Sequence, residues 1–137
     1  MKNYEQLEAT TQAEEALLGA ILIESTRGDR EAIDIISGIV TLADFKGYLA
    51  SQPTERQSIH SRIFYAMVKS DNPPHQIVTA QTMNKLGLLQ NGDCAYLCRL
   101  VSFCPCSLDY MDYANAVKDY SQQRDGKQPL VFKDAIW

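Results

Sequence analysis

The sequence predicts an all-α protein, and three observations support this fold class. Apolar residues recur at helical spacing in most segments, and short polar residues that cap helices stand before several of them. Strand-like alternation is confined to a weak run at residues 76–79. A length of 137 residues suits one domain. We therefore expect a compact orthogonal bundle of about six or seven helices.

The first helix is predicted to begin at Thr11, which opens a capping box. Apolar side chains at helical spacing fill residues 13–22 and predict deep burial, and Gly19 would let a neighbouring helix approach closely. Asp29 is expected to cap a second, short helix that ends near Gly38.

The middle of the chain is predicted to hold two further helices. Thr41 opens the third, in which Leu42, Phe45 and Leu49 would share one face. A second capping box at Thr54 opens a longer fourth helix with an apolar stripe.

Three more helices complete the predicted bundle. The fifth begins at Thr79 and stops near Gly87, and the sixth begins at Asp93 and is closed by Pro105. The seventh occupies residues 107–124, with tyrosines on one side and charged or amide side chains on the other.

Composition excludes several classes of protein. The apolar fraction of 45% and the charged fraction of 22% are ordinary for a globular domain and argue against disorder. The longest apolar run, residues 16–23, is far shorter than the roughly 18 residues that span a bilayer. No secretory signal opens the sequence, so the cytoplasm is the expected location and no membrane partner is expected.

Charge argues against direct binding of DNA by this chain. The net charge of -4 repels a phosphate backbone unless the cations gather on one face. The cations that would best support such binding are scattered over several predicted helices: Arg27, Arg30, Lys46, Arg56 and Arg62.

The four cysteines, Cys94, Cys98, Cys104 and Cys106, are confined to one short segment. Their spacing lacks the paired knuckles and nearby histidines of a typical zinc site, so we expect free thiols and no metal. Cys98 follows Cys94 by one helical turn among apolar neighbours, which favours a small buried side chain.

Motifs for catalysis are missing from the sequence. It contains no phosphate-binding loop, no dinucleotide fingerprint, no nucleophile elbow and no zinc-protease helix. Of the two histidines, His60 is expected to pack inside a helical bundle and His75 to lie in an exposed turn. We therefore predict neither an enzyme nor a cofactor.

The order of several motifs resembles the N-terminal domain of DnaB-type bacterial replicative helicases. Residues 13–22 look like the family's A-E-x-x-x-L-G-A-x-L helix, and residues 60–67 look like its H-x-x-I-F-x-A-M helix. Shorter matches lie at residues 44–45, 78–79, 86–89 and 95–100. The resemblance covers about residues 12–124, nearly the whole chain.

This resemblance implies a division of the chain and a function. Residues 1–10 would be a tail, residues 11–124 the helical domain, and residues 125–137 a tail or the start of a linker. In the family, N-terminal domains assemble into a collar that recruits the C-terminal domain of primase. The resemblance therefore implies a non-catalytic module for helicase oligomerisation and for binding primase or a helicase loader. Helicase activity is not carried over, because the phosphate loop is missing.

Self-association in the family uses a helical hairpin, and residues 107–124 look like its first arm. Gly126 and Pro129 fall where the second arm should begin, so we expect self-association as a dimer or a higher assembly and do not carry over the full collar of the family. The candidate partner-binding residues form a stripe on the last helix: Tyr110, Tyr113, Val117, Tyr120 and Arg124. The alternative is that these tyrosines pack on the body of the domain.

Two other functions stay open at the level of sequence. In the first, the chain is an excised or free-standing piece of a helicase whose ATPase motor lies elsewhere, or it competes with the host helicase for primase. Direct binding of nucleic acid is the third hypothesis, and the acidic total opposes it.

Overall fold

The computed structural model describes residues 2–124, and the side chains from Glu8 onward. This part of the chain contains six α-helices: α1 (Lys2–Glu24), α2 (Glu31–Ile36), α3 (Ile59–Lys69), α4 (Gln76–Lys85), α5 (Asp93–Phe103) and α6 (Tyr110–Arg124). Short 3₁₀ turns lie at residues 25–27, 42–44, 54–56 and 107–109. Residues 2–124 contain no strand, so the predicted all-α class is confirmed.

Helix α1 forms the centre of the bundle because its apolar residues surround the rod. Leu17, Leu18, Ile21 and Leu22 are all fully buried. Helices α5 and α6 pack along this helix, and α6 starts where α1 ends, with the Ser107 hydroxyl donating to the Glu24 carboxylate at 2.5 Å.

Close packing of α1 on α5 depends on one residue without a side chain. A Cβ atom placed on Gly19 would lie 2.4 Å from the backbone oxygen of Leu100, far inside van der Waals contact. The sequence prediction that Gly19 lets a neighbour approach is therefore confirmed, and the neighbour is α5.

Helix α3 supplies the other half of the core. Its residues Ile63, Phe64 and Met67 are buried, and the Phe64 ring lies 5.1 Å from the ring of Phe45, centroid to centroid. Because Phe45 belongs to the loop between α2 and α3, this aromatic pair anchors that loop to the core.

Two predicted helix starts are wrong, each for a local reason. Helix α1 begins at Lys2 rather than at Thr11, because good helix formers precede the capping box. Helix α4 begins at Gln76, so the weak strand signal is helical as well. Thr79 does not cap this helix, because its hydroxyl donates to the carbonyl of Pro74 at 3.0 Å.

The predicted third helix is a single 3₁₀ turn, and Leu49 is 56% exposed rather than buried. The buried amide of Gln57 organises this loop: its Oε1 accepts from the Leu49 N–H, and its Nε2 donates to the Leu49 and Gln52 carbonyls. The capping box at Thr54 likewise opens only a 3₁₀ turn, and α3 follows at Ile59.

The division into tails and a domain at residues 10 and 124 stays a prediction. The expected absence of a second hairpin arm concerns Gly126 and Pro129, which lie outside the described residues. None of the helices within residues 2–124 is long and apolar enough to cross a membrane.

Candidate protein-interaction surface

A buried polar cluster joins α1, α3 and α5 at the centre of the molecule. The His60 Nδ1 atom lies 2.7 Å from the carboxylate of Glu14, which is fully buried, and Nε2 lies 2.6 Å from the Tyr96 hydroxyl. That hydroxyl donates to Glu15 at 2.9 Å, and the Lys46 N–H donates to Glu14 at 2.8 Å. Each side chain in this cluster thus has a partner, as burial of polar groups requires.

Burial raises the pKa of Tyr96 above its usual range, and the hydrogen bond to Glu15 raises it further. The phenol therefore stays neutral and keeps its hydrogen at every pH near neutrality. The cluster is a structural feature: it leaves no room beside His60 for a substrate, because His60 is only 4% exposed.

A second buried group ties α3 to α5 through an ion pair. The Arg62 guanidinium donates to Asp93 at 2.6 Å and to the Leu88 carbonyl at 2.9 Å, and its Nε donates to the Gln57 carbonyl at 3.1 Å. Asp93 in turn accepts from the Gln90 N–H at 2.8 Å. Asp93 is the first residue of α5 and holds the preceding turn instead of capping the helix as predicted.

The carboxylate of Asp44 attaches the end of α6 to the loop before α3. It accepts from the Ser121 hydroxyl at 2.9 Å, from Lys118 Nζ at 3.1 Å and from the Thr41 N–H at 2.8 Å. Arg124 donates to the Asp44 backbone carbonyl at 2.9 Å. The last described turn of α6 is therefore fixed by polar contacts rather than by apolar packing.

The predicted tyrosine stripe is the inward face of α6. Val117 is 1% exposed and lies in the core, and Tyr110 and Tyr113 are half-buried against it. Tyr120 is half-buried as well, and the exposed Arg124 is held by Asp44. That these five residues bind a partner stays a prediction. In this conformation a partner could not contact Val117, because its side chain is buried.

The largest exposed apolar side chains near α6 instead lie where α5 ends and α6 begins. Phe103 is 73% exposed, Leu108 is 70% exposed and Met111 is 41% exposed. We call these three residues the apolar corner. Phe103 also forms one wall of a groove of about 220 Å³ between α1 and α5, whose other apolar lining comes from Ala16, Leu100 and Pro105.

Charged groups flank this groove on both sides. Glu15 and Arg99 line it, and the Arg99 guanidinium lies 5.5 Å from the centre of the Phe103 ring. An apolar centre with a charged rim is the usual composition of a protein-binding surface. One sequence signal could have found Phe103: it lies outside the inward stripe of Leu97, Leu100 and Val101 on the same helix.

The scattered cations are largely engaged within the fold. Arg62 is buried against Asp93, and Arg30 donates to the carbonyl of Ser70 at 2.6 Å. Arg27 pairs with Glu24 at 2.9 Å. These pairings lower the number of cations that could converge on a phosphate backbone.

The cysteines are free thiols, as predicted, but the prediction that Cys98 is buried is wrong. Cys94 and Cys98 are both exposed on α5, and the Cys98 Sγ accepts a hydrogen bond from Gln76 Nε2 of α4 at 2.8 Å. Apolar neighbours in sequence did not indicate burial here, because consecutive positions of a helix point to different sides. Cys106 is exposed and Cys104 is half-buried.

Comparison with known proteins agrees with this geometry. Residues 6–119 match the family described as "DnaB-like helicase N terminal domain". The chain belongs to this family. Its fold is similar to the crystal structure of the N-terminal domain of DnaB helicase from Mycobacterium tuberculosis, with a TM-score of 0.62 at 23% sequence identity. That similarity covers 82% of this chain and 73% of the other. No curated protein matches the sequence.

Several residues that carry the resemblance to the DnaB family lie in the interior, although others, such as Leu86, are exposed. Glu14, Gly19, His60 and Met67 are buried, and Tyr96 completes the polar cluster around His60. The family motifs therefore specify the packing of α1, α3 and α5. They do not include the exposed residues of the apolar corner.

Proposed function

We propose that this DnaB-like N-terminal domain is a non-catalytic protein-interaction module of the bacterial replication machinery. It associates with copies of itself and binds the C-terminal domain of primase or a helicase loader. Membership in the DnaB-like family supports a place in the replicative helicase. The observation that carries the proposal is the apolar corner, which exposes Phe103 and Leu108 beside a groove.

The corner has the chemistry of a binding hot spot. A phenyl ring and two aliphatic side chains lose contact with water when a partner covers them, and such anchors supply much of the affinity of protein complexes. Arg99 lies over the Phe103 ring, and this weak contact favours one orientation of the ring before a partner arrives. Less conformational entropy is then lost on binding.

Binding through the tyrosine stripe is the weaker form of the proposal. Tyr110, Tyr113 and Val117 would become accessible only if α6 separated from α1, which would expose the core that they help to fill. Tyr120 and Arg124, at the far end of α6, are the members of the stripe that a partner could reach without that separation.

The test combines two measurements on the full chain. Sedimentation velocity over a range of protein concentrations measures self-association, and calorimetric titration with the C-terminal domain of primase from the same organism measures recruitment. The variant Phe103→Ser removes the anchor of the apolar corner. Ile77→Ser is the matched control, because Ile77 is 65% exposed but lies on α4.

We expect saturable binding of primase, self-association, or both by the wild-type chain. Phe103→Ser should weaken the interaction at least about tenfold, as for a hot-spot residue worth more than about 1.4 kcal/mol, and Ile77→Ser should not change it. A monomer at all concentrations that gives no heat with primase would reject the proposal. Equal effects of the two variants would reject the apolar corner as its site.

A further inference from the structure

Two of the four cysteines flank a proline at the corner between α5 and α6. Cys104 follows the last residue of α5, and Cys106 precedes the 3₁₀ turn at residues 107–109. Both have extended backbones, with φ -69° and ψ 124° at Cys104 and φ -159° and ψ 110° at Cys106. The chain bends at Pro105 between them, which brings closer together two residues that a straight extended segment would hold about 6.6 Å apart.

The two thiols differ in their surroundings. The Cys104 Sγ donates to the Ala16 carbonyl on α1 at 3.7 Å, and a Cβ on Gly19 would lie 3.1 Å from the Cys104 Cβ. Cys106 is exposed, and its backbone N–H donates to the Tyr113 hydroxyl at 3.2 Å. Burial raises the pKa of the Cys104 thiol, while the N–H of Cys106 lies against that thiol and lowers it. Cys106 is thus the accessible thiol, and Cys104 is the covered thiol directly beside it.

We infer that Cys104 and Cys106 form a reversible thiol–disulfide site, whose reactants are low-molecular-mass disulfides such as oxidised glutathione. The Cys106 thiolate attacks one sulfur of oxidised glutathione, so a mixed disulfide forms and one glutathione thiolate leaves and is protonated. The Cys104 sulfur then attacks the Cys106 sulfur, gives up its proton and releases the second glutathione. Two protein thiols are oxidised to one disulfide, and one glutathione disulfide is reduced to two thiols.

The other two cysteines provide an internal comparison. Cys94 and Cys98 are both exposed, but regular helical backbone holds them one turn apart, at a rise of about 5.4–6 Å. Bridging requires the two Cβ atoms to come within about 3.5–4.5 Å, which a continuous helix resists. The segment at Cys104 to Cys106 is free of that constraint, because α5 ends at Phe103.

Oxidation would change the packing of the corner. Once its sulfur is bonded to Cys106, Cys104 no longer carries a thiol hydrogen for the Ala16 carbonyl, and the contact of the end of α5 with α1 is altered. The segment lies directly between Phe103 and Leu108, so the disulfide would also change the shape of the apolar corner. Only this last consequence rests on the proposed function.

The test uses two double variants of the full chain. Cys94→Ser with Cys98→Ser leaves the corner pair, and Cys104→Ser with Cys106→Ser leaves the helix pair. Each is equilibrated with mixtures of oxidised and reduced glutathione, quenched in acid and treated with an alkylating reagent. Intact mass spectrometry then counts alkylated thiols and bound glutathione.

The corner-pair variant should lose both alkylatable thiols without retaining glutathione, and reduction should restore both. The helix-pair variant should keep its thiols or carry glutathione. Retained glutathione or two alkylatable thiols in the corner-pair variant, or a disulfide between molecules, would overturn the inference. Because no partner protein enters the assay, its outcome is independent of whether the chain binds primase or itself.

Discussion

The junction of α1, α3 and α5 and the apolar corner differ in almost every respect. At the junction, Glu14, His60 and Tyr96 are linked by contacts of 2.6–2.7 Å, and both Glu14 and His60 are buried. At the corner, Phe103 and Leu108 are more than two-thirds exposed, so most of their apolar surface is in contact with water. Substitutions at the junction are therefore expected to lower the stability of the fold, whereas substitutions of Phe103 or Leu108 are expected to leave it nearly unchanged.

This difference separates residues that carry the family resemblance from the exposed surface that a binding partner would contact. Glu14, His60 and Tyr96 belong to the segments that carry the resemblance to the DnaB-like family, and they lie at the junction, where each polar group must have a partner in order to be buried. A surface anchor such as Phe103 carries no such requirement. Recognition of the family from its motifs therefore identifies the fold and leaves the binding surface to be found from exposure.

The largest effect is expected at the buried ion pair. Arg62→Ala should lower the free energy of unfolding by about 3–5 kcal/mol, because Asp93 would keep a buried charge without its partner. Urea unfolding followed by circular dichroism measures this change.

Asp34→Ala is the control for the buried pair. Its ion pair with Arg30 is 3.5 Å long and the Asp34 side chain is 63% exposed, so the change in unfolding free energy should be below about 1 kcal/mol. Similar losses in the two variants would show that burial does not set the strength of these pairs.

A smaller effect is expected at the hydroxyl of the polar cluster. Tyr96→Phe should cost about 1–3 kcal/mol at neutral pH, because His60 Nε2 and Glu15 each lose a partner. Burial and the bond to Glu15 raise the pKa of Tyr96 in the folded state above the ordinary value of 10.0. The stability that this phenol contributes is therefore complete below about pH 10 and declines as the pH rises further.

The difference in unfolding free energy between the wild type and Tyr96→Phe should accordingly narrow above about pH 10, because only the wild type loses this contribution. Denaturant titrations at a series of pH values from neutral to alkaline measure it. A difference that widens with pH would contradict the raised pKa of Tyr96.

Gly19→Ala should have a net cost of up to about 2 kcal/mol. The new methyl group would lie 2.4 Å from the Leu100 carbonyl, and overpacking of this kind costs about 1–3 kcal/mol, while alanine regains about 1 kcal/mol in a helix. Thermal unfolding measures the difference. Gly38→Ala is the control, since its nearest contact would be 3.4 Å, and a greater loss there would contradict the assigned packing.

The fold could be predicted from the sequence where periodicity is strong. Residues 13–22 and 59–67 have apolar positions on a helical repeat, and both segments are helical and buried. The loop before α3 could not be predicted, because the amide of Gln57 sets its shape through contacts eight residues away in sequence. Leu42, Phe45 and Leu49 have helical spacing, but the tertiary contacts of Gln57 outweigh this local preference, and the segment does not form an α-helix.

The candidate site was predicted less well than the fold. Aromatic periodicity on α6 identified a real face of the helix, but periodicity cannot distinguish a face that packs inward from one that awaits a partner. Val117 indicates that this face packs inward, because a β-branched apolar residue among tyrosines fits a core position. Phe103 has the opposite character, an apolar residue off the buried stripe of its own helix.

The smallest effect on stability, and the sharpest separation of the two regions, is expected at Phe103. Phe103→Ser should change the unfolding free energy by no more than about 0.5 kcal/mol, because the side chain is 73% exposed and little of its contact with water changes on folding. Urea unfolding is measured alongside the binding experiments on the same variant. A loss above about 2 kcal/mol would mean that Phe103 supports the fold, and any loss of binding would then report unfolding. Unchanged stability together with lost binding would place the interaction at the apolar corner and leave the junction of α1, α3 and α5 as the scaffold that presents it.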